Sequence, residues 1–196
     1  CRTVPLEEGF AVPIEALAAP SGGIALANPN APTGRAVGRA DIERLAAADP
    51  GRVVIIDEAY ADFGGESALP LLDTYENLLV VMTFSKSRAL AGARLGFAFG
   101  SRELIEGLER VRDSFNSYPV DRVAEQVGIA ALSDGAWFEQ NRARIIATRG
   151  QTEGRLRALG LDVIPSAANF LFAGLPGVPA RVLYNALRDE GILVRY

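Results

Sequence analysis

The sequence predicts an α/β fold: layers of helix on a mainly parallel sheet, followed by part of a smaller C-terminal α/β unit. Three observations lead there. Short apolar runs recur at 24–27 (IALA), 53–56 (VVII), 78–82 (LLVVM) and 95–99 (LGFAF). They are continuously apolar rather than alternating, as strands covered on both faces are. Helical periodicity fills the intervals between and after them, and strands alternating with helices imply a layered architecture.

Between the first two strands, residues 39–48 form a helix with Ile42 and Leu45 on one face and Pro50 beyond its end. Ser101 is the N-cap of a second helix carrying Leu104, Leu108, Val111 and Phe115 on one face. Residues 120–133 repeat the pattern with Val120, Val123, Val127 and Ala131. A long, charge-rich helix then runs from about 136 to 159 and stops at Gly160. After it come strands at 162–164 and 169–173, a helix from Pro179 to Glu190, and a strand at 192–195. Pro179 in the first turn and Gly191 past the end follow the usual asymmetry of helix termini. The expected division is a larger domain over 1–149 and a partial smaller one over 150–196.

At 196 residues and 49% hydrophobic, the chain can bury the core of one large domain or one and a half. A net charge of −4 with interspersed basic residues argues against a nucleic-acid surface. No apolar run approaches the ~20 residues that span a bilayer. The opening CRTVPLEEGF has neither a signal-peptide pattern nor an initiating methionine, and GILVRY stops inside an expected strand, so a partial chain is expected. One cysteine excludes an intrachain disulfide and fits a reducing cytosol. The absence of histidine excludes a Ser-His-Asp triad, a Cys-His pair and the usual zinc sites. Proton transfer falls to Lys, Tyr, Asp or Glu.

Three motifs stand at strand ends: ANPNAPTG (27–34), DEAYADF (57–63) and TFSKS (83–87). In open α/β sheets, ligands bind in the crevice beyond the carboxyl ends of the strands. Asn30, Asp57, Tyr60 and Lys86 can therefore converge although they are far apart in sequence. Singly, each has a plain alternative. Asp57 is a cap or turn residue, NPNAPTG is turn chemistry, Tyr60 belongs to the core rim, and Lys86 and Arg94 are solvated charges.

One ligand accounts for the set together, pyridoxal 5′-phosphate (PLP). A lysine whose pKa is depressed by burial near other cations forms a Schiff base with its aldehyde. An acid facing the pyridine nitrogen keeps that nitrogen protonated, so the ring accepts electrons from the substrate. A tyrosine hydroxyl donates to the phenolic oxygen. The hydroxyls of Thr83 and Ser85 and the guanidinium of Arg94, eight positions after Lys86, form a phosphate cup.

The order NPNAPTG, DEAYADF and TFSKSRALAGARLGFAFG, with VPLEEGF, ANFLF and GILVRY around it, resembles the fold-type I PLP-dependent aminotransferases, and the histidinol-phosphate aminotransferases in particular. The resemblance covers the whole chain. It implies a three-layer PLP-dependent transferase-like large domain, cytoplasmic location and a homodimer acting on small molecules, with no nucleic acid, membrane or metal involved. It further implies that Lys86 carries the cofactor and moves the proton. Asp57 pairs with the pyridinium, Tyr60 meets the phenolic oxygen, and Ser85, Arg94 and Thr83 bind the phosphate. Arg195 would hold the anionic end of the substrate. The reaction would be amino transfer between L-histidinol phosphate and 2-oxoglutarate. Where many relatives have a second asparagine in the NPNAPTG loop this chain has Ala31, so that contact is lost or Asn30 supplies it. A threonine-phosphate decarboxylase, an aromatic aminotransferase and a non-catalytic sensing domain are alternatives on the same fold.

Overall fold

The computed structural model describes residues 2–196. Four strands form the main sheet: β1 (Gly23–Ala27), β2 (Val53–Asp57), β3 (Leu78–Thr83) and β4 (Gly96–Gly100), in that spatial order. The first three are parallel and β4 is antiparallel. The register places Ala27 beside Asp57, Asp57 beside Val81, and Thr83 beside Gly96. The ends of β1, β2 and β3 and the start of β4 therefore share one edge.

One face of the sheet is sealed. Helix α1 (Ile14–Ala18) and helix α2 (Arg39–Ala47) cover it, and Ile42 and Leu45 of α2 are buried against Ile24, Val54, Ile56, Leu78 and Val80. Each such side chain contributes roughly 1.5–3 kcal/mol of burial. The opposite face is only half covered, since Val53, Ile55 and Val81 remain partly accessible. Two-sided burial, expected from the continuous apolar runs, is thus incomplete.

Helix α3 (Arg102–Phe115) starts at Ser101 as expected, but Leu108, Val111 and Phe115 face outward. Helix α4 (Arg122–Ser133) begins after Asp121, whose Oδ1 accepts from Ala124 N at 2.8 Å. That cap leaves Val120 outside the helix, and Val123 is exposed. The inward stripe is Ala124, Val127 and Gly128; a Cβ on Gly128 would lie 2.9 Å from Leu95 Cδ1. The helix docks by Ala124 and Gly128 together with the lower half of the expected row, Val127 and Ala131, while Val120 and Val123 stay outside.

Helix α5 (Gly135–Ala158) is the long charged helix, and Gly160 follows it in the left-handed region (φ +84°). It runs unbroken through residues 149 and 150, where the domain division was expected. Beyond it, β5 (Asp162–Ile164) pairs antiparallel with β6 (Phe172–Gly174). The strand expected over 169–173 shrinks to 172–174 because Ser166 Oγ bonds Phe170 O at 2.7 Å and folds that stretch into a turn. Helix α6 (Ala180–Asp189) has Pro179 as its N-cap, one position earlier than the first turn. Residues 192–195 form no strand and are exposed, since no neighbouring strand offers them a ladder among the described residues.

Candidate active site

The ladder continues past the strand ends. Asn28 N donates to Asp57 O at 2.8 Å and Glu58 N to Val81 O at 2.8 Å. Asp57 then turns outward into solvent, its Oδ1 accepting from Ala59 N at 2.9 Å as in an Asx turn. Glu58 turns inward and is 1% exposed, accepting from Ser67 Oγ at 2.7 Å and Ala68 N at 2.5 Å. Burial pushes its carboxyl above the ordinary range, although both hydrogen bonds pull the other way.

Tyr60 precedes a 3₁₀ turn, Ala61–Phe63, and its ring meets Phe170 edge to face at 5.0 Å between centroids. From the neighbouring strand end, Lys86 Nζ lies 5.3 Å from the Tyr60 ring centroid. The β3–β4 connection is compact: Phe84 N donates to Leu95 O at 3.2 Å and Ala89 N to Lys86 O at 3.1 Å. Thr83 Oγ1 donates to Leu95 O at 3.2 Å and accepts from Ser85 N at 3.1 Å. Arg94 adopts φ +54° and sends Nη1 to Ala91 O at 2.8 Å, leaving its other N–H groups toward solvent.

Lys86 was expected to be a buried amine; in the structure it is exposed. The turn lifts its side chain out between two buried neighbours, Phe84 and Ser87. Asn30 lies on the same edge, but its side chain serves its own loop: Oδ1 accepts from Thr33 Oγ1 at 2.9 Å, and its backbone pairs with Gly34 and Arg35. Asp57, Tyr60, Thr83, Ser85, Lys86 and Arg94 thus follow adjacent strand ends, with direct contacts between Lys86 and Tyr60 and between Thr83 and Ser85. Arg195 is in the exposed tail after α6 and makes no hydrogen bond or ion pair among the described residues.

Several features of this edge are not read from the motifs themselves. Lys86 is the only lysine in the chain, a signal available from composition alone. Asp62 and Ser87 are bonded side chain to side chain, and Phe170 reaches Tyr60 from across the sequence. Arg149 of α5 donates to Phe63 O at 2.9 Å and Ala168 O at 2.5 Å, joining the turn after Tyr60 to the segment before Phe170. Burial lowers the pKa of that guanidinium. Among the described residues no group of three Asp, Glu, Cys or His side chains is arranged to hold a metal ion, and no helix is long and apolar enough to cross a membrane.

The open α/β sheet thus carries an amine, an acid, a phenol and hydroxyls along its carboxyl edge. The family model for aminotransferase class I and II matches residues 1–196, and the chain belongs to that family. Within it, the chain is 54% identical over 195 residues to the histidinol-phosphate aminotransferase of Chromohalobacter salexigens, covering 100% of this chain and 56% of that protein. It is 57% identical over 176 residues to histidinol-phosphate aminotransferase 1 of Bordetella parapertussis, covering 90% of this chain and 49% of that one. The crystal structure of histidinol-phosphate aminotransferase from Sinorhizobium meliloti in complex with pyridoxal-5′-phosphate superimposes with a TM-score of 0.87 at 29% identity, covering 99% of this chain and 55% of that chain. The chain therefore spans about half the length of the relatives it matches.

Proposed function

We propose that this chain is the cofactor-binding portion of a PLP-dependent aminotransferase that exchanges an amino group between L-histidinol phosphate and 2-oxoglutarate, giving imidazole acetol phosphate and L-glutamate. The observation that carries the reading is the position of the sole lysine: Lys86 follows the end of β3, with Nζ 5.3 Å from the Tyr60 ring. The donor set along this edge suits the cofactor: one amine for an aldehyde, one exposed carboxylate for a ring nitrogen, and hydroxyl and guanidinium donors for a phosphate. When bound, PLP supplies an aldehyde and an electron-accepting ring.

In this reading Lys86 would hold the cofactor through its amine and, as the general base, would take up and return the substrate's α-proton. Asp57 keeps the ring nitrogen protonated, and Tyr60 donates to the phenolic oxygen. Ser85, Thr83 and Arg94 hold the phosphate; Arg94 has N–H groups to spare beyond its bond to Ala91. The contact that Ala31 does not make is lost or falls to Asn30, whose Oδ1 is taken by Thr33 and which has its Nδ2 to offer; Arg195 is assigned the anionic end of the substrate. The division into a cofactor-binding unit (1–149) and a smaller unit (150–196), a cytoplasmic location and a homodimer belong to the same proposal.

The test is borohydride reduction of the chain mixed with PLP, followed by peptide mass mapping. The expected result is one adduct on Lys86, lost in Lys86→Ala. With a single lysine, the only competing amine is the N-terminus. An adduct confined to the N-terminus removes the cofactor reading for this chain.

A further inference from the structure

The amine and the phenol come from different connections, Lys86 from the β3–β4 turn and Tyr60 from the segment after β2. A flexible lysine stem does not stay over a ring unless its backbone is registered against the element that carries the ring. One contact does this directly. Ser87, immediately after Lys86 and 5% exposed, donates its hydroxyl to the carboxylate of Asp62, in the middle of the turn that follows Tyr60. A hydroxyl on a carboxylate is a charge-assisted bond, stronger than a neutral one.

The turn is itself braced from behind. Arg142 of α5 approaches Asp62 O at 3.4 Å, Arg149 bonds Phe63 O at 2.9 Å, and Phe63 N closes on Tyr60 O at 3.1 Å. On the lysine side, buried Phe84 and the Ala89 N to Lys86 O bond fix the rest of the connection. The Ser87–Asp62 bond is thus the side-chain tie between two separately held turns, one presenting the amine and the other the ring.

We infer that Ser87 and Asp62 are positioning residues: their bond holds the Lys86 amine against the Tyr60 ring. That this amine is the cofactor-binding one rests on the proposed function; the contact itself does not. Because the chain has one lysine, reductive dimethylation with ¹³C-formaldehyde yields one side-chain dimethylamine resonance, read against free dimethyl-lysine. An ammonium held over an aromatic face is shifted upfield of free dimethyl-lysine. The shift is expected in the wild-type chain, and Tyr60→Leu removes it. Ser87→Ala and Asp62→Ala should both move the resonance to the free value. Asp62→Asn, whose amide oxygen still accepts from Ser87, should keep most of the displacement. Melting curves identify any variant that has lost its fold, and the Asp62→Ala and Asp62→Asn pair decides if Ser87→Ala is such a case. A wild-type resonance at the free value, or folded Asp62→Ala and Ser87→Ala chains indistinguishable from wild type, overturns the inference. Failure of PLP to label wild-type Lys86 removes the proposed function instead and leaves the resonance to decide the contact.

Discussion

Asp57 and Glu58 are neighbours in sequence and opposites in environment. Asp57 faces solvent at the sheet edge, while Glu58 is enclosed and committed to Ser67 and Ala68. Both acids stand in DEAYADF; the pleat at the end of β2, where successive side chains point to opposite faces, separates one available for a ligand from one used by the fold. Glu58→Ala strands a part-buried hydroxyl and a buried N–H, and should cost about 1–3 kcal/mol in a denaturant titration. The pH dependence has a definite sign. Burial raises the folded-state pKa of Glu58, so its contribution to stability is fully present below the unfolded carboxylate value of ~4.3 and is lost as pH rises through the folded one. The melting temperature of wild type relative to Glu58→Gln should therefore fall as pH is raised from acid toward neutrality. A difference that is flat or rises with pH would contradict the buried, desolvated carboxyl.

At the scale of elements, the signals that held were those written in local chemistry. Strand runs, the Ser101 cap and the Gly160 and Gly191 stops all describe what the backbone does within a few residues. The buried face of α2, Ile42 and Leu45, was also right; the face of α3 was not, and that of α4 only in part. In α4 the expected row Val120, Val123, Val127 and Ala131 is only half right: Val127 and Ala131 are partly covered, but Val123 is exposed and the buried positions are Ala124 and Gly128, where Leu95 comes close. The start of α4 depends on Asp121, so Asp121→Ala should destabilise the chain by ~1 kcal/mol, read from denaturant unfolding. A loss within measurement error would mean that α4 frays without consequence for the rest of the fold. The last expected strand, 192–195, failed for a related reason: an apolar run becomes a strand only where another edge can pair with it.

On the scale of the whole molecule, α3 and the start of α4 present a large apolar surface to solvent. Phe115 is 79% exposed, Tyr118 92% and Val123 74%, with Leu108 and Val111 in the same row as Phe115. Exposed apolar surface of this kind favours association, which bears on the proposed homodimer. The chain should sediment above its 20.8 kDa monomer mass, and Phe115→Asp with Val123→Asp should return it toward that mass. Sedimentation as a monomer at every concentration would remove self-association from the proposal. The α/β class, the positions of the four main strands and the motifs at their ends were legible in the sequence, because apolar periodicity and turn chemistry are local. It took the packed fold to show that Lys86 emerges exposed beside Tyr60, that Glu58 is enclosed, and that Ser87 meets Asp62, Phe170 meets Tyr60 and Arg149 ties the turn at Phe63 to Ala168. These contacts join segments far apart in the chain, and no local preference encodes which side chain will face which once sheet and helices are packed.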